Sequence, residues 1–147
     1  MSHFLGSEIC ILDAKGRLSI PARMRRNLAP EANDTFVIVR GFDPCVNMYP
    51  LDEWQRFEDQ LRELKRGNSD AREFVRSLYE TAHESTLDNQ GRISLTDRLL
   101  EFAGVTKEAK VLGLMDRIEI WNPKRLDDRQ RGVSTEKLDD LARKLLS

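Results

Sequence analysis

Cysteine is scarce in this chain, and the two that occur stand alone. Cys10 and Cys45 form no C-x-x-C pair, and only His3 and His83 supply imidazoles. The sequence therefore supports neither a zinc ligand set nor a disulfide framework, and both thiols read as small apolar residues in or near strands. No metal and no cofactor is expected. Long apolar runs are missing too: nothing approaches the roughly 20 residues a membrane helix needs, and the opening MSHFLGSEICILD lacks the basic and apolar regions of an export signal. A cytoplasmic protein with no membrane partner is expected. Nucleophilic catalysis has no candidate, since His83 falls in a stretch that reads as helical with no recognisable partner. It reads as a surface or interface residue. Neither sign of charge dominates, and a net charge of −1 over 147 residues argues, as a whole-chain average, against a nucleic-acid binder.

What is present is written twice. DAKGRLSIP, Asp13 to Pro21, returns as DNQGRISLT, Asp88 to Thr96, at a constant offset of 75 positions. The match extends outward: Arg23 meets Arg98, Met24 meets Leu99, and Phe36 to Val39 meets Val111 to Leu114. After a gap in the second copy, Val46 to Tyr49 pairs with Ile118 to Trp121. This period is far longer than that of a solenoid, so the chain holds two related modules rather than an array. The copies differ in charge. Residues 11–29 carry Lys15, Arg17, Arg23, Arg25 and Arg26 against Asp13 alone, whereas residues 86–103 carry Arg92 and Arg98 against Asp88, Asp97 and Glu101.

Within a module the periodicity predicts strand, turn, strand, short helix, strand, strand. Phe4 to Leu12 alternates Ile9 and Ile11 against Glu8 and Cys10, and Leu18 and Ile20 resume the period of two after the turn. Asp13 to Gly16 is then a hairpin tip. An Asp at the start of a turn accepts hydrogen bonds from the backbone ahead of it, and a Gly at its end takes positive φ, which accounts for Asp13, Gly16, Asp88 and Gly91. Pro21 opens a short helix to about Leu28, and Thr96 and Gly104 bound its counterpart. Thr35 to Val39 with Val46 to Tyr49, and Lys110 to Leu114 with Ile118 to Trp121, complete the strands. Between the modules, one helix opens at Asp52 and presents Trp54, Phe57, Leu61 and Leu64. A second opens at Ser69 and presents Ala71, Phe74, Val75, Leu78 and Ala82, with Gly67 and Asn68 at the corner. Pro123 to Arg131 and Thr135 to Leu146 are again helical. The stripe Leu138, Leu141, Ala142 and Leu145 suits core packing or contact between subunits.

Two Asp-x-x-Gly-Arg turns joined by a helical pair, with FLG at Phe4 and MYPLDEW after the last strand of the first module, resemble the MraZ family of bacterial transcriptional regulators. The modules are similar to swapped-hairpin domains of the AbrB and SpoVT type. The resemblance implies an α+β fold: a duplicated swapped-hairpin AbrB-like β-barrel formed within one chain, with connecting helices. Modules at 4–50 and 83–122, a helical connector at 51–82 and a helical tail at 123–147 are expected. It further implies a ring-shaped homo-oligomer, nucleoid-associated, that binds double-stranded DNA at tandem promoter repeats of a division and cell-wall gene cluster, often repressing it. Carried over by position, the DNA-binding residues are Lys15, Arg17 and Arg92. The second tip departs from the first, having Gln90 where the first has Lys15.

The residues leave other readings open. Arg17 bonding back to Asp13, and Arg92 to Asp88, would lock the turns, and locking is compatible with DNA contact. Arg23, Arg25 and Arg26 suit a solvated helix face. Asp13 and Asp88, at equivalent places in a duplicated barrel, suggest an aspartic dyad, which needs two carboxyls sharing one proton. A ring scaffold without a DNA site and an antitoxin-like regulator are further alternatives.

Overall fold

A computed structural model describes all 147 residues. The first half folds as β1 Phe4–Ile11, β2 Arg17–Ser19, α1 Ala22–Arg25, β3 Thr35–Arg40 and β4 Val46–Pro50, followed by α2 Leu51–Arg62 and α3 Ser69–Thr81. The second half repeats that order as β5 His83–Thr86, β6 Arg92–Ser94, α4 Asp97–Ala103, β7 Glu108–Met115 and β8 Arg117–Trp121, followed by α5 Pro123–Arg131 and α6 Thr135–Leu146.

Strand pairing is unchanged when the halves are exchanged. Six strands form an antiparallel sheet in the order β1-β7-β8-β4-β3-β5, and β2 and β6 form a separate two-stranded ribbon. Replacing each strand by its counterpart returns the same order, so a pseudo-two-fold axis passes between β4 and β8 and between β2 and β6. Strands β1 and β2 share no ladder; an isolated bridge between Leu12, just past β1, and Leu18 joins them. Their ladders lie elsewhere: β1 pairs with β7, β2 with β6, and β3 with β5 as well as with β4. Because strand amides need partners, each module's hairpin is completed by the other. The fold is α+β, a swapped-hairpin barrel closed inside one chain.

The core records the same exchange. Leu18, Ile20 and Met24 meet their counterparts Ile93, Leu95 and Leu99 in one cluster with Phe36, Ile38, Val111, Ile118 and Ile120. On the opposite face of the sheet, Val37, Val39 and Tyr49 are covered by Trp54 of α2 and Leu78 of α3. Cys45 and Trp121 are covered by Leu126 of α5. Cap chemistry sets the helix ends: the Thr96 hydroxyl accepts from the Leu99 amide, Gly104 closes α4 at φ +68°, and Asn68 and Asn122 cap α3 and α5.

Four expectations need correction. The first helix stops at Arg25 instead of running to Leu28, because the bonds after Arg26 tighten to Asn27→Met24 and Leu28→Arg25 ahead of Pro30. In β1 the inward residue is Cys10, opposite Ala109, while Ile9 and Ile11 are 46% and 74% exposed opposite Lys110 and Glu108. His83 is not helical; the helix ends at Thr81, and His83 begins β5 opposite Ile38. The stripe on α6 packs in no core, since none of its residues is buried.

Strand exchange makes each half dependent on the other. Residues 1–82 alone should show no cooperative unfolding as a monomer, folding only by self-pairing or on addition of residues 83–147. Circular dichroism with light scattering checks this, and a cooperative monomeric fragment would refute the dependence.

Candidate nucleic-acid interface

Each repeated turn is built around one carboxylate. Asp13 Oδ1 accepts from the Lys15 and Arg17 amides at 2.9 and 2.8 Å, and Oδ2 accepts from Arg17 Nε at 2.7 Å. Asp88 repeats this with Gln90 and Arg92 amides at 2.9 Å each and Arg92 Nε at 2.8 Å. The turns close with Gly16 N–H on the Asp13 carbonyl at 3.1 Å and Gly91 N–H on the Asp88 carbonyl at 2.9 Å. Gly16 and Gly91 sit at φ +77° and +75°, where a side chain is strained.

The turns are also braced against each other. Ile20 N–H donates to the Gly91 carbonyl at 3.0 Å, and Leu95 N–H donates to the Gly16 carbonyl at 2.8 Å. In the ribbon, Ser19 lies opposite Arg92 and Arg17 opposite Ser94. Arg92 Nη1 reaches Asp13 Oδ2 at 3.6 Å, so a guanidinium of the second module touches both carboxylates. A Cβ on Gly16 would come within 2.8 Å of the Leu95 carbonyl oxygen, so the close approach of the two turns requires glycine.

Both carboxyls lie below their ordinary value of 3.8, chiefly because the backbone N–H of Arg17 or Arg92 stabilises the ionised form, with the guanidinium adding to it. A shared-proton dyad needs one carboxyl raised. With both lowered and both paired to arginine, Asp13 and Asp88 act as braces. The Nε of Arg17 is committed to Asp13, but its two terminal nitrogens carry no partner within the chain. Lys15 is exposed at the crest of the turn.

The helix arginines divide by role. Arg23 donates from Nη1 and Nη2 to the Leu5 and Ser7 carbonyls, tying α1 to the edge of β1. Arg25 donates from Nε to the Ile20 carbonyl at 2.9 Å, and its guanidinium lies over Gly91, within 2.6 Å of where a Cβ would stand. Only Arg26 matches the solvated-face expectation. The counterpart of Arg25 is Leu100, which lies over Gly16 in the same manner at 3.8 Å. Hence the first module supplies the second turn with a cation where Gln90 lacks one. Sequence reasoning missed this contact; the substitution of Arg25 for Leu100 at matched positions was the available signal. Arg17, Arg25 and Arg92 together border an open cleft of about 510 Å³ between β1 and the ribbon.

The remaining titratable residues lie apart from this site. Cys10 and Cys45 are buried in different clusters, and burial pushes the Cys10 thiol up to about 11 and the Cys45 thiol higher still. His83 Nε2 contacts the Ser94 carbonyl at 2.9 Å, which makes Nε2 the donor, while its Nδ1 is buried without a partner. No helix is long and apolar enough to cross a membrane.

The duplicated turn-and-ribbon architecture has a match among known families. The family model described as "MraZ protein, putative antitoxin-like" fits residues 3–77 and again residues 78–146. The chain belongs to the MraZ family. The two matches meet within α3 and together take in nearly all of the sequence, so the internal repeat is the family's own unit used twice. Membership in MraZ carries a regulator-type role.

The braces predict a pH signature. A carboxyl whose folded-state pKa is depressed contributes stability above its unfolded value and loses it as pH falls through the folded value. Asp13→Asn should therefore unfold at a lower temperature than the parent at pH 7, with the gap closing as pH drops below about 3.8. Thermal melts from pH 7 to 2 check this, and a gap that stays constant contradicts it.

Proposed function

We propose that this protein is a DNA-binding transcriptional regulator, a repressor that grips tandem promoter repeats of a cell-division and cell-wall gene cluster with the basic turns of a ring-shaped homo-oligomer. The supporting observation is the pair of adjacent turns, each with its arginine already held by a carboxylate, leaving Lys15 and the terminal nitrogens of Arg17 to face an outside acceptor. A guanidinium matches phosphate oxygens or the O6 and N7 of guanine, whereas a lysine holds phosphate as a point charge. Fixing the side chain beforehand reduces the freedom lost on binding. The role agrees with the regulator character of the MraZ family.

Electrostatics then decide how many tips are needed. A net charge of −1 provides little long-range attraction. Non-specific contacts from one site give dissociation constants of roughly 10⁻⁴ to 10⁻⁶ M at physiological salt. Several copies presenting their ribbons to a periodic target raise affinity by roughly 10² to 10⁴ without any new contact. Tandem repeats supply that periodicity. The first turn leads, since Lys15 and Arg17 both lie on it, and the second contributes Arg92 with Arg25 beside it.

Lys15→Ala and Arg17→Ala should each weaken binding to repeat DNA by at least tenfold while the assembly keeps its mass. Arg92→Ala should cost less in affinity. Fluorescence anisotropy at several salt concentrations checks the series. Parent-like binding by both first-turn variants would remove the turns from the interface, and affinity insensitive to salt would favour a scaffold over a DNA-binding protein.

A further inference from the structure

We propose that the outer face of β1 and the Leu114 end of β7, which α5 leaves uncovered, form a docking surface for α6 of a second copy of this chain. The proposal deepens the ring assembly, on which it rests, by naming the surfaces that join one copy to the next.

The internal repeat shows what is missing. In the first half the outward residues of β3, Val37 and Val39, are 4% and 1% exposed beneath α2 and α3. Their counterparts on β7, Leu112 and Leu114, are only half-buried, and beside them on β1 Leu5 and Ile9 are 62% and 46% exposed. The helix equivalent to α3 is α6, and it is not there. None of its residues is buried, and its side-chain bonds stay within the helix or its cap. Of the twelve large apolar side chains exposed on the molecule, six lie on these two surfaces: Leu5, Ile9 and Ile11 on one, Leu138, Leu145 and Leu146 on the other. One uncovered face and one uncovered stripe of matching character mark a contact between copies.

The chain's own geometry keeps α6 from covering its own sheet. Residues 63–68 join α2 to α3 and let α3 fold back, so that Tyr79 meets Trp54 and Glu58. Only residues 132–134 join α5 to α6, and α5 is nine residues against twelve for α2. The occupant is therefore another chain's α6. Its orientation follows from α3, whose Thr81 hydroxyl accepts from the Arg40 amide at the end of β3. Met115 is the counterpart of Arg40, so the end of α6 comes to the end of β7, where Leu5 lies opposite Leu114, apolar against Leu145 and Leu146. Arg143 and Lys144 then approach Asp116, which is half exposed at the β7–β8 turn. Such a contact joins different patches on the two partners. Repeated in one sense it closes a ring, and a reciprocal exchange stops at a dimer.

Two experiments test the assignment on the full chain. In the first, Leu5→Cys and Leu145→Cys are placed in separate copies, mixed and treated with a short bifunctional maleimide; the native thiols are buried. A crosslinked pair is expected from the mixture and not from the parent. In the second, Leu138→Asp with Leu141→Asp, or Leu5→Glu, which lies outside the cleft bordered by Arg17, Arg25 and Arg92, is examined by light scattering and circular dichroism. Each variant should stay folded and fall to the 17.0 kDa monomer, with repeat-DNA affinity reduced about 100-fold as avidity is lost. Variants that retain the parent mass, or crosslinking within one chain when both cysteines share it, overturn the docking and leave the ring reading standing. A parent that is itself monomeric at micromolar concentration overturns both.

Discussion

Three residues from each half, Arg17–Ser19 and Arg92–Ser94, pair across the pseudo-two-fold axis, and the whole candidate interface hangs from that ribbon. Its inward side chains, Leu18 and Ile93, are 0% and 1% exposed, so hydrophobic burial fixes the register. A slip of one residue would carry both into solvent and drive Arg17 and Arg92 toward the core. Core packing therefore places the charged residues. The carboxylate of each turn then orients the guanidinium that packing has positioned, and the cross-turn backbone bonds hold the two turns at one distance from each other. Barrel closure and the proposed DNA contact are thus two consequences of the same short antiparallel pair.

Duplication let the halves diverge where a homodimer of single modules cannot. The carboxylate hydrogen bonds of the two turns agree to about 0.1 Å, while the chemistry around them has changed sides. Lys15 has become Gln90, and Leu100 over Gly16 is answered by Arg25 over Gly91. The outer face of the first half is sealed by α2 and α3, whereas that of the second is covered by α5 alone and stays apolar and open along β1. One chain therefore combines a symmetric frame with an asymmetric surface. Asymmetry of this kind suits a subunit that meets neighbours head to tail and presents one ribbon to a target.

Much of this was legible because local chemistry dictated it. Asp13, Gly16, Asp88 and Gly91 announce their turns through the bonds and the positive φ those turns require, and Thr96 and Gly104 mark α4 by capping. What the alternation of apolar residues could not reveal was which faces have a neighbour. Ile9 and Ile11 look like core letters and point outward, because the inner face at that point belongs to Cys10 against Ala109. Leu138, Leu141 and Leu145 form a proper amphipathic stripe with nothing in the chain to cover it. His83 follows a helical run, yet pairing with β3 draws it into a strand. The Arg25 contact at Gly91 joins opposite halves of the chain, and it exists only because the hairpins interlock.

Hydrogen exchange read by mass spectrometry, on the intact protein with and without tandem-repeat promoter DNA, tests the central claim most directly. The account predicts that DNA slows exchange in the peptides holding residues 13–20 and 88–95 together, with the helices α2 and α3 unchanged. Protection elsewhere, with both turns exchanging as in the free protein, would contradict it.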